Sequence, residues 1–324
     1  MRSTLRVLAA LLVAQRDLPA RYGIDVAHSN VGFSIGFMGM STVHGAFTSY
    51  DGTILYDERD PTRSSVSVAI DVASISTNSR DRDRHLRSPD FFDAARYPRI
   101  TFRSTSVARA PRGFVLRGVL AMHGQRREVE IPFERLNGPM LDAWGNRRMT
   151  LRGTLSVSRK AWGIEGTAFW NSEFDPGRMA VSDRADIELL VSATIPNVDR
   201  WAHPVGDSLL ASVERDGVNE ATRRFRAAYA GTMRADSIPE FAFVDAGQKL
   251  VARGRAADAI AFYRAVLDVR PTATTTRFLL GEAYLKSGQT TAAREEFARV
   301  VREDPDATGA AEWLRVLDER AGSG

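Results

Sequence analysis

The strongest constraint on how this chain folds is an alternation of apolar and polar residues with period two, which recurs from Tyr22 to about Ile195. Phe33, Ile35 and Phe37 alternate with Gly32, Ser34 and Gly36, and Val66, Val68, Ile70 and Val72 with Ser65, Ser67, Ala69 and Asp71. The pattern returns at Ile100/Phe102, Phe114/Leu116/Gly118/Leu120/Met122 and Val129/Ile131/Phe133, then at Met149/Leu151/Gly153/Leu155/Val157 and Ile187/Leu189/Val191/Ala193/Ile195. Successive side chains of a strand point to opposite faces, so each run has one apolar face that an antiparallel sheet must enclose. With residues 43–56 this makes about eight strands, which close into a barrel just wide enough to be filled by side chains or to hold one ligand. Ala110-Pro111-Arg112-Gly113 and His123-Gly124-Gln125 fall between runs, where glycine supplies the positive φ of a tight turn.

Two departures from the rhythm organise the rest. Residues 79–98, SRDRDRHLRSPDFFDAARYP, carry helix formers from Arg82 to Leu86 and then Pro89 and Pro98. They read as a short helix and loop lying over the barrel, kept ordered by Leu86, Phe91 and Phe92. Past Pro196 the period becomes helical. Residues 204–234 predict one amphipathic helix bearing Leu209, Leu210, Val213, Ala221, Phe225 and Tyr229. Gly247, Gly254, Ala259, Tyr263 and Pro271 then recur 34 residues later as Gly281, Gly288, Ala293, Phe297 and Pro305, the period of tetratricopeptide (TPR) helical hairpins. Ala310–Arg320, with Trp313, Leu314 and Leu317, reads as a capping helix. Two repeats are marginal alone, so a preceding element should pack on them. The predicted class is β + α with two domains: an eight-stranded antiparallel β-barrel followed by an α-helical TPR hairpin module. The expected segments are a leader at 1–20, the barrel at 21–197, a helical linker at 198–238, and two repeats with their cap at 239–324.

Composition narrows the function classes. No apolar run reaches the roughly 18 residues of a spanning helix, and there is no cysteine, which excludes disulfides, thiol catalysis and Cys-based metal sites. The net charge of +4 invites a nucleic-acid reading. Nearly all the basic residues are Arg, however, and they form no basic block or aromatic-interleaved stretch, so no nucleic-acid partner is expected. Arg2 and Arg6 precede an apolar stretch, Val7–Ala14, which has the shape of a short secretory signal.

The barrel segment resembles the YceI-like family of bacterial polyisoprenoid-binding, lipocalin-like proteins. The resemblance is carried by Asp25-x-x-His28-Ser29 in the opening run and by RDRHLRSPDFFDAARYPRITFRSTSV at 82–107. LRGVLAMHGQRREVEIPF, at 116–133, and SRKAWGI, at 158–164, add to it, Ala161 and Trp162 departing from the usual pattern. It implies an apolar lipid-sized tunnel in a protein that is usually periplasmic and often a homodimer. On that basis the inward stripe contacts an isoprenoid chain: Phe33, Ile35, Phe37, Val68, Ile70, Phe102, Phe114, Leu116, Met122, Phe133, Met149, Leu151 and Leu189. His85, Leu86, Phe91 and Phe92 are placed at the tunnel mouth. The alternative for every one of these residues is a packed core that holds nothing.

No motif supplies chemistry. There is no Gly-x-Ser-x-Gly elbow, phosphate loop or Ser-x-x-Lys. His28, His44, His85 and His123 lack metal-ligand spacing, and His28, His85 and His123 read as hydrogen-bonding residues at strand ends and in the loop; Arg82, Asp83 and Arg84 read as a set that fixes the loop. The expected function is non-enzymatic binding, sequestration or transport of a polyisoprenoid or isoprenoid-quinone lipid, exported to the periplasm, with no cofactor and with a protein partner docked on the repeats. The alternatives are an interaction scaffold with a packed barrel and a haem- or metal-linked redox accessory.

Overall fold

A computed structural model describes residues 18–143, 145–198, 204–230 and 240–322; most of the predicted leader lies outside them. Pro19–Pro196 form one compact unit, and the chain from Asn197 onward belongs to another.

In the first unit the strands are β1 (Ala20–Ile24), β2 (Asn30–Phe37), β3 (Ser41–Phe47), β4 (Tyr50–Tyr56), β5 (Ser65–Asp71) and β6 (Ile75–Ser76). After helix α1 (Arg80–Arg87) come β7 (Arg99–Arg109), β8 (Phe114–Met122), β9 (Gln125–Leu141), β10 (Arg147–Ser158), the short pair β11 (Glu173–Asp175) and β12 (Arg178–Met179), and β13 (Val181–Ile195). Eight of them, in the order β1-β4-β5-β7-β8-β9-β10-β13, close into an antiparallel barrel through the pairing of β13 with β1. The alternation sets this ring's inside. The sequence stretch 43–56 is two strands, β3 and β4, and the run ending at Phe133 continues as β9 to Leu141.

At one level of the barrel three connections bend together. β13 pairs with β1 at Ala193 and Thr194 and with β2 from Val181 to Leu190, and between them Asp25–Ser29 form a 3-10 turn. β3 passes into β4 at Thr48 and Ser49, and β5 into β6 through the 3-10 turn Val72–Ser74. The displaced backbone groups are satisfied by hydroxyls. Ser29 Oγ donates to the Asp25 carbonyl at 2.7 Å and accepts from Ser192 N at 2.9 Å, and Ser74 Oγ donates to the Asp71 carbonyl at 2.6 Å. Beyond this level β2, β3 and β6 splay away from β7, and α1 with residues 88–98 occupies the opening as the sequence predicts.

The second unit contains α2 (Pro204–Asp216), α3 (Val218–Tyr229), α4 (Glu240–Ala252), α5 (Ala256–Val269), α6 (Thr274–Lys286), α7 (Thr290–Glu303) and α8 (Thr308–Gly322). The single helix expected over 204–234 is broken at Gly217, whose φ of +79° ends α2, and residues 231–234 lie outside the described set. The expected linker is therefore a helical hairpin. α2 packs on α4 and α3 on α5, with Phe225 against Phe243 at 5.6 Å between ring centroids, so it supplies the support that two repeats need. Within each repeat a glycine lets an aromatic ring meet the backbone of the first helix. A Cβ on Gly247 would lie 2.2 Å from the Tyr263 ring, and one on Gly281 2.6 Å from the Phe297 ring. α8 packs on the second repeat, with Trp313 parallel to Phe297 at 6.2 Å and its indole N–H donating to Glu282 at 3.0 Å.

Gly281→Val is expected to lower the stability of the helical unit by about 1–3 kcal/mol, since Phe297 cannot retreat within a packed hairpin. Urea unfolding of the whole chain, followed by helical circular dichroism, checks this; an unchanged midpoint would mean that the ring is free to move.

Candidate functional site

The barrel is hollow. Its interior holds a cavity of about 620 Å³ lined by the inward residues of all its long strands, a volume within the roughly 300–1,000 Å³ of small-molecule sites. On β13 the lining runs from Val181 to Val191, roughly 33 Å of strand at about 3.3 Å per residue. The cavity is thus long and narrow, and its walls are almost wholly aliphatic and aromatic.

The predicted stripe lies on this wall: Phe33, Ile35, Phe37, Val68, Ile70, Phe102, Phe114, Leu116, Met122, Phe133, Leu151 and Leu189 all line the cavity. Met149 does not. It points inward but lies past the end of the space, fully buried with Tyr22, Ile54, Tyr56 and Ala193 in a cluster that plugs one side of the barrel. His85, Leu86, Phe91 and Phe92 reach the cavity at the other end, under α1.

Among the lining residues that sequence reasoning missed are Phe47, Tyr50, Ile54 and Tyr56, in the 43–56 stretch where it named no inward positions, Arg135 past the end of the β9 run, and two further kinds. Val107 was hidden by a bulge in β7 between Ser104 and Ser106, which shifts the inward parity from even numbers to odd; Ser104 Oγ fills the gap by accepting from Val66 N at 2.8 Å. Ile164 and Trp170 come from the irregular 159–172 segment, where no periodicity exists to read. The adjacent aromatics Phe169-Trp170 were the one available signal.

At the α1 end the polar groups are consumed in holding the closure. The Asp83 carboxylate accepts from Thr77 N at 2.8 Å and from its hydroxyl, Arg82 donates to the Thr77 carbonyl at 2.6 Å, and Arg84 pairs with Asp81 at 2.9 Å. His85 shares a hydrogen bond with Asp90 at 2.9 Å, its ring edge-on to Phe91 at 5.0 Å. Arg159 is buried, and its guanidinium lies within hydrogen-bond distance of six acceptors, two of which must share one of its five N–H groups: the carbonyls of Ser182, Ile164, Glu165, Trp170 and Val181 and the Asn171 side chain. Burial pushes this guanidinium below its usual pKa. It ties the 159–172 segment to the start of β13.

The other sequence motifs converge on the same end. His123 and Gly124 both have positive φ in the β8–β9 turn, and a Cβ on Gly124 would lie 2.8 Å from the Tyr97 ring, so only glycine admits that ring. His123 Nδ1 bonds the Trp162 carbonyl at 3.0 Å, and Arg127 lies 5.5 Å from the centroid of the Trp162 ring.

The opposite end is held by Asp25, which bonds His28 at 2.8 Å and Arg148 at 2.6 Å; Arg148 also reaches Ser192 Oγ at 2.6 Å. Partial burial raises the Asp25 pKa, but the hydrogen bonds from Arg148 and His28 outweigh it and leave the carboxyl below its ordinary value. His28, His85 and His123 thus serve as hydrogen-bonding residues. Among the described residues no three His, Asp or Glu side chains gather as a metal site.

Known proteins match each unit separately. Residues 22–193 match the profile of the YceI-like domain, and residues 250–315 that of a tetratricopeptide repeat. A UPF0312 protein of Photorhabdus laumondii is 39% identical over 154 residues, 47% of this chain and 80% of that protein. One from Vibrio cholerae is 36% identical over 173 residues, 51% and 90%. Among solved structures, Burkholderia cenocepacia BcnA overlays 53% of this chain and 99% of its own with a TM-score of 0.45 at 24% identity. A structure described as a polyisoprenoid binding domain from Saccharophagus degradans overlays 54% and 98%, with a TM-score of 0.40 at 16% identity.

Arg159→Lys keeps the charge but cannot span six acceptors. Hydrogen exchange across residues 160–182 is expected to accelerate while the β8–β9 ladder stays protected; unchanged exchange would show that the guanidinium is not the clamp. For Asp25 the folded pKa lies below the unfolded value of about 3.9, so its contribution is complete above that value and is lost as pH falls through the depressed one. The drop in urea midpoint between pH 5 and pH 3 is therefore expected to be smaller in Asp25→Asn than in the parent, and equal drops would refute the role of this carboxylate.

Proposed function

We propose, from the premise that the chain belongs to the YceI-like family through residues 22–193, that its barrel binds and carries a polyisoprenoid-type lipid without covalent chemistry. The observation that carries this reading is the cavity itself. An unsaturated hydrocarbon needs long apolar and aromatic walls, and residues such as Phe33, Val68, Phe102, Leu116 and Leu189 supply them from the α1 end to the cluster around Met149. Each Å² of apolar surface withdrawn from water contributes about 25 cal/mol, so uptake needs no input of energy. The TPR unit, whose stacked hairpins form the kind of surface on which protein partners dock, localises the barrel. Export to the periplasm completes the reading, supported by the Arg2/Arg6 pair before Val7–Ala14 and by the family resemblance.

Mass spectrometry of organic extracts from the undenatured protein tests this, with Phe102→Asp as the control. Phe102 is buried on the cavity wall, and a carboxylate there makes the tunnel hostile to hydrocarbon. A prenyl species is expected in the parent and depleted in a variant whose circular dichroism is unchanged. An extract without prenyl lipid, or one equally rich in both proteins, would sink the reading.

A further inference from the structure

The outer surface at the α1 end of the barrel presents large apolar side chains to solvent on convex turns. The β2–β3 loop is Met38-Gly39-Met40, and Met40 is 73% exposed at its tip. Met38 has a φ of +55°, a left-handed conformation that glycine or asparagine adopts far more easily. The loop thus holds a methionine at a conformational cost that an ordinary turn residue would avoid. Phe169 is 56% exposed in the 3-10 turn Ala168–Asn171. A relay of backbone bonds joins the two turns. Met38 N donates to the Ala180 carbonyl at 3.0 Å, Ala180 N to that of Ser172 at 2.9 Å, and Ser172 N to that of Phe169 at 3.1 Å. Phe169 meets the Trp170 ring at 5.0 Å between centroids, and Trp170 meets His85 of α1 at 6.0 Å, so the patch abuts the helix.

α1 brings positive charge to the same rim. It carries four arginines and two aspartates, and one of the aspartates, Asp83, is buried in the closure. Arg80, Arg84 and Arg87 fall at helical spacing on one face and are all exposed. Arg84 pairs with Asp81, whereas Arg80 and Arg87 have no carboxylate partner among the described residues; Arg87 donates to the Ile75 carbonyl at 2.9 Å. Of the exposed acids nearby, Asp90 is bonded to His85 and Asp175 to Arg178, and Glu165 offsets one of the free charges. Exposed apolar groups rimmed by charge mark protein or membrane contacts. Met40 and Phe169 project from separate turns. A protein partner would need a matching concavity for each, whereas a bilayer deforms around such tips, and its anionic headgroups complement the arginine face.

We propose that the α1 end of the barrel docks on an anionic lipid bilayer. Met40 and Phe169 enter the boundary between headgroups and acyl chains, and the Arg80/Arg84/Arg87 face of α1 lies against the headgroups. The assignment concerns the outside of the barrel and holds whether or not the tunnel carries the lipid proposed above.

Flotation of the full chain with vesicles of equal parts phosphatidylglycerol and phosphatidylcholine tests this, with pure phosphatidylcholine vesicles as the reference. The chain is expected to float with the anionic vesicles, to bind the neutral ones at least about tenfold more weakly, and to be released by salt. Phe169→Asp and Met40→Asp, both at exposed positions, are each expected to weaken binding at least about tenfold, and Arg80→Gln about fivefold. Leu141→Asp puts the same charge on an exposed apolar position at the opposite end of the barrel and is expected to bind as the parent does. A parent that floats with neither vesicle would overturn the assignment. So would binding that survives in both Phe169→Asp and Met40→Asp, or an equal loss in Leu141→Asp.

Discussion

Strand β13 gives one edge to two partners, and the break between them governs the barrel. Where Asp25–Ser29 turn away from the ladder, β1 continues around the ring and β2 leaves it, so the sheet both closes and splays. The turn is held by polar bonds, Asp25 to Arg148 and Ser29 to Ser192, because only two residues of β13 face its five and no ladder can form there. Splaying leaves an opening that the strands cannot cover. That opening explains why a barrel of such regular alternation carries α1, the 88–98 loop and the 159–172 segment. It also explains why a buried arginine must collect the carbonyls of the last of these.

A closed sheet satisfies its own backbone, so the interior has no need of polar groups and the chain is free to leave it apolar. Tilted strands of this length enclose more space than their inward side chains fill, and the remainder is the tunnel. Polar side chains that line it stand at its two ends, which makes the middle indifferent to a ligand's chemistry beyond its hydrocarbon character.

How much of this could be read from the sequence follows from which residues bear constraints. The period-two runs disclose the barrel and the part of the cavity wall that lies on the long strands, because inward apolar positions repeat along them. Met149 fits that pattern and still misses the cavity, since alternation reports which face a side chain takes and not how far along the barrel the space extends. Val107 was lost to a bulge that inverts the phase, and Trp170 to a segment without phase. The motifs that carry the family likeness were legible for another reason. Asp25, His28, Asp83, His123 and Arg159 each bond a specific backbone or side-chain group, so few alternatives fit. They build the corner and the closure, whereas a hydrocarbon-facing wall accepts many apolar residues and leaves no signature. Gly217, a single residue in an otherwise amphipathic stretch, was enough to turn one expected helix into a hairpin.

The helical unit carries the same lock twice, Gly247 with Tyr263 and Gly281 with Phe297, separated by one period. Each lock is internal to its own hairpin and makes no demand on the number of hairpins beside it. Length in this part of the molecule is therefore an inheritable variable that duplication can change in whole steps, with α8 free to cap whichever hairpin comes last. The barrel has no such freedom, since adding or removing a strand would change its circumference. Selection can enlarge one half of this protein by copying and adjust the other only by substitution.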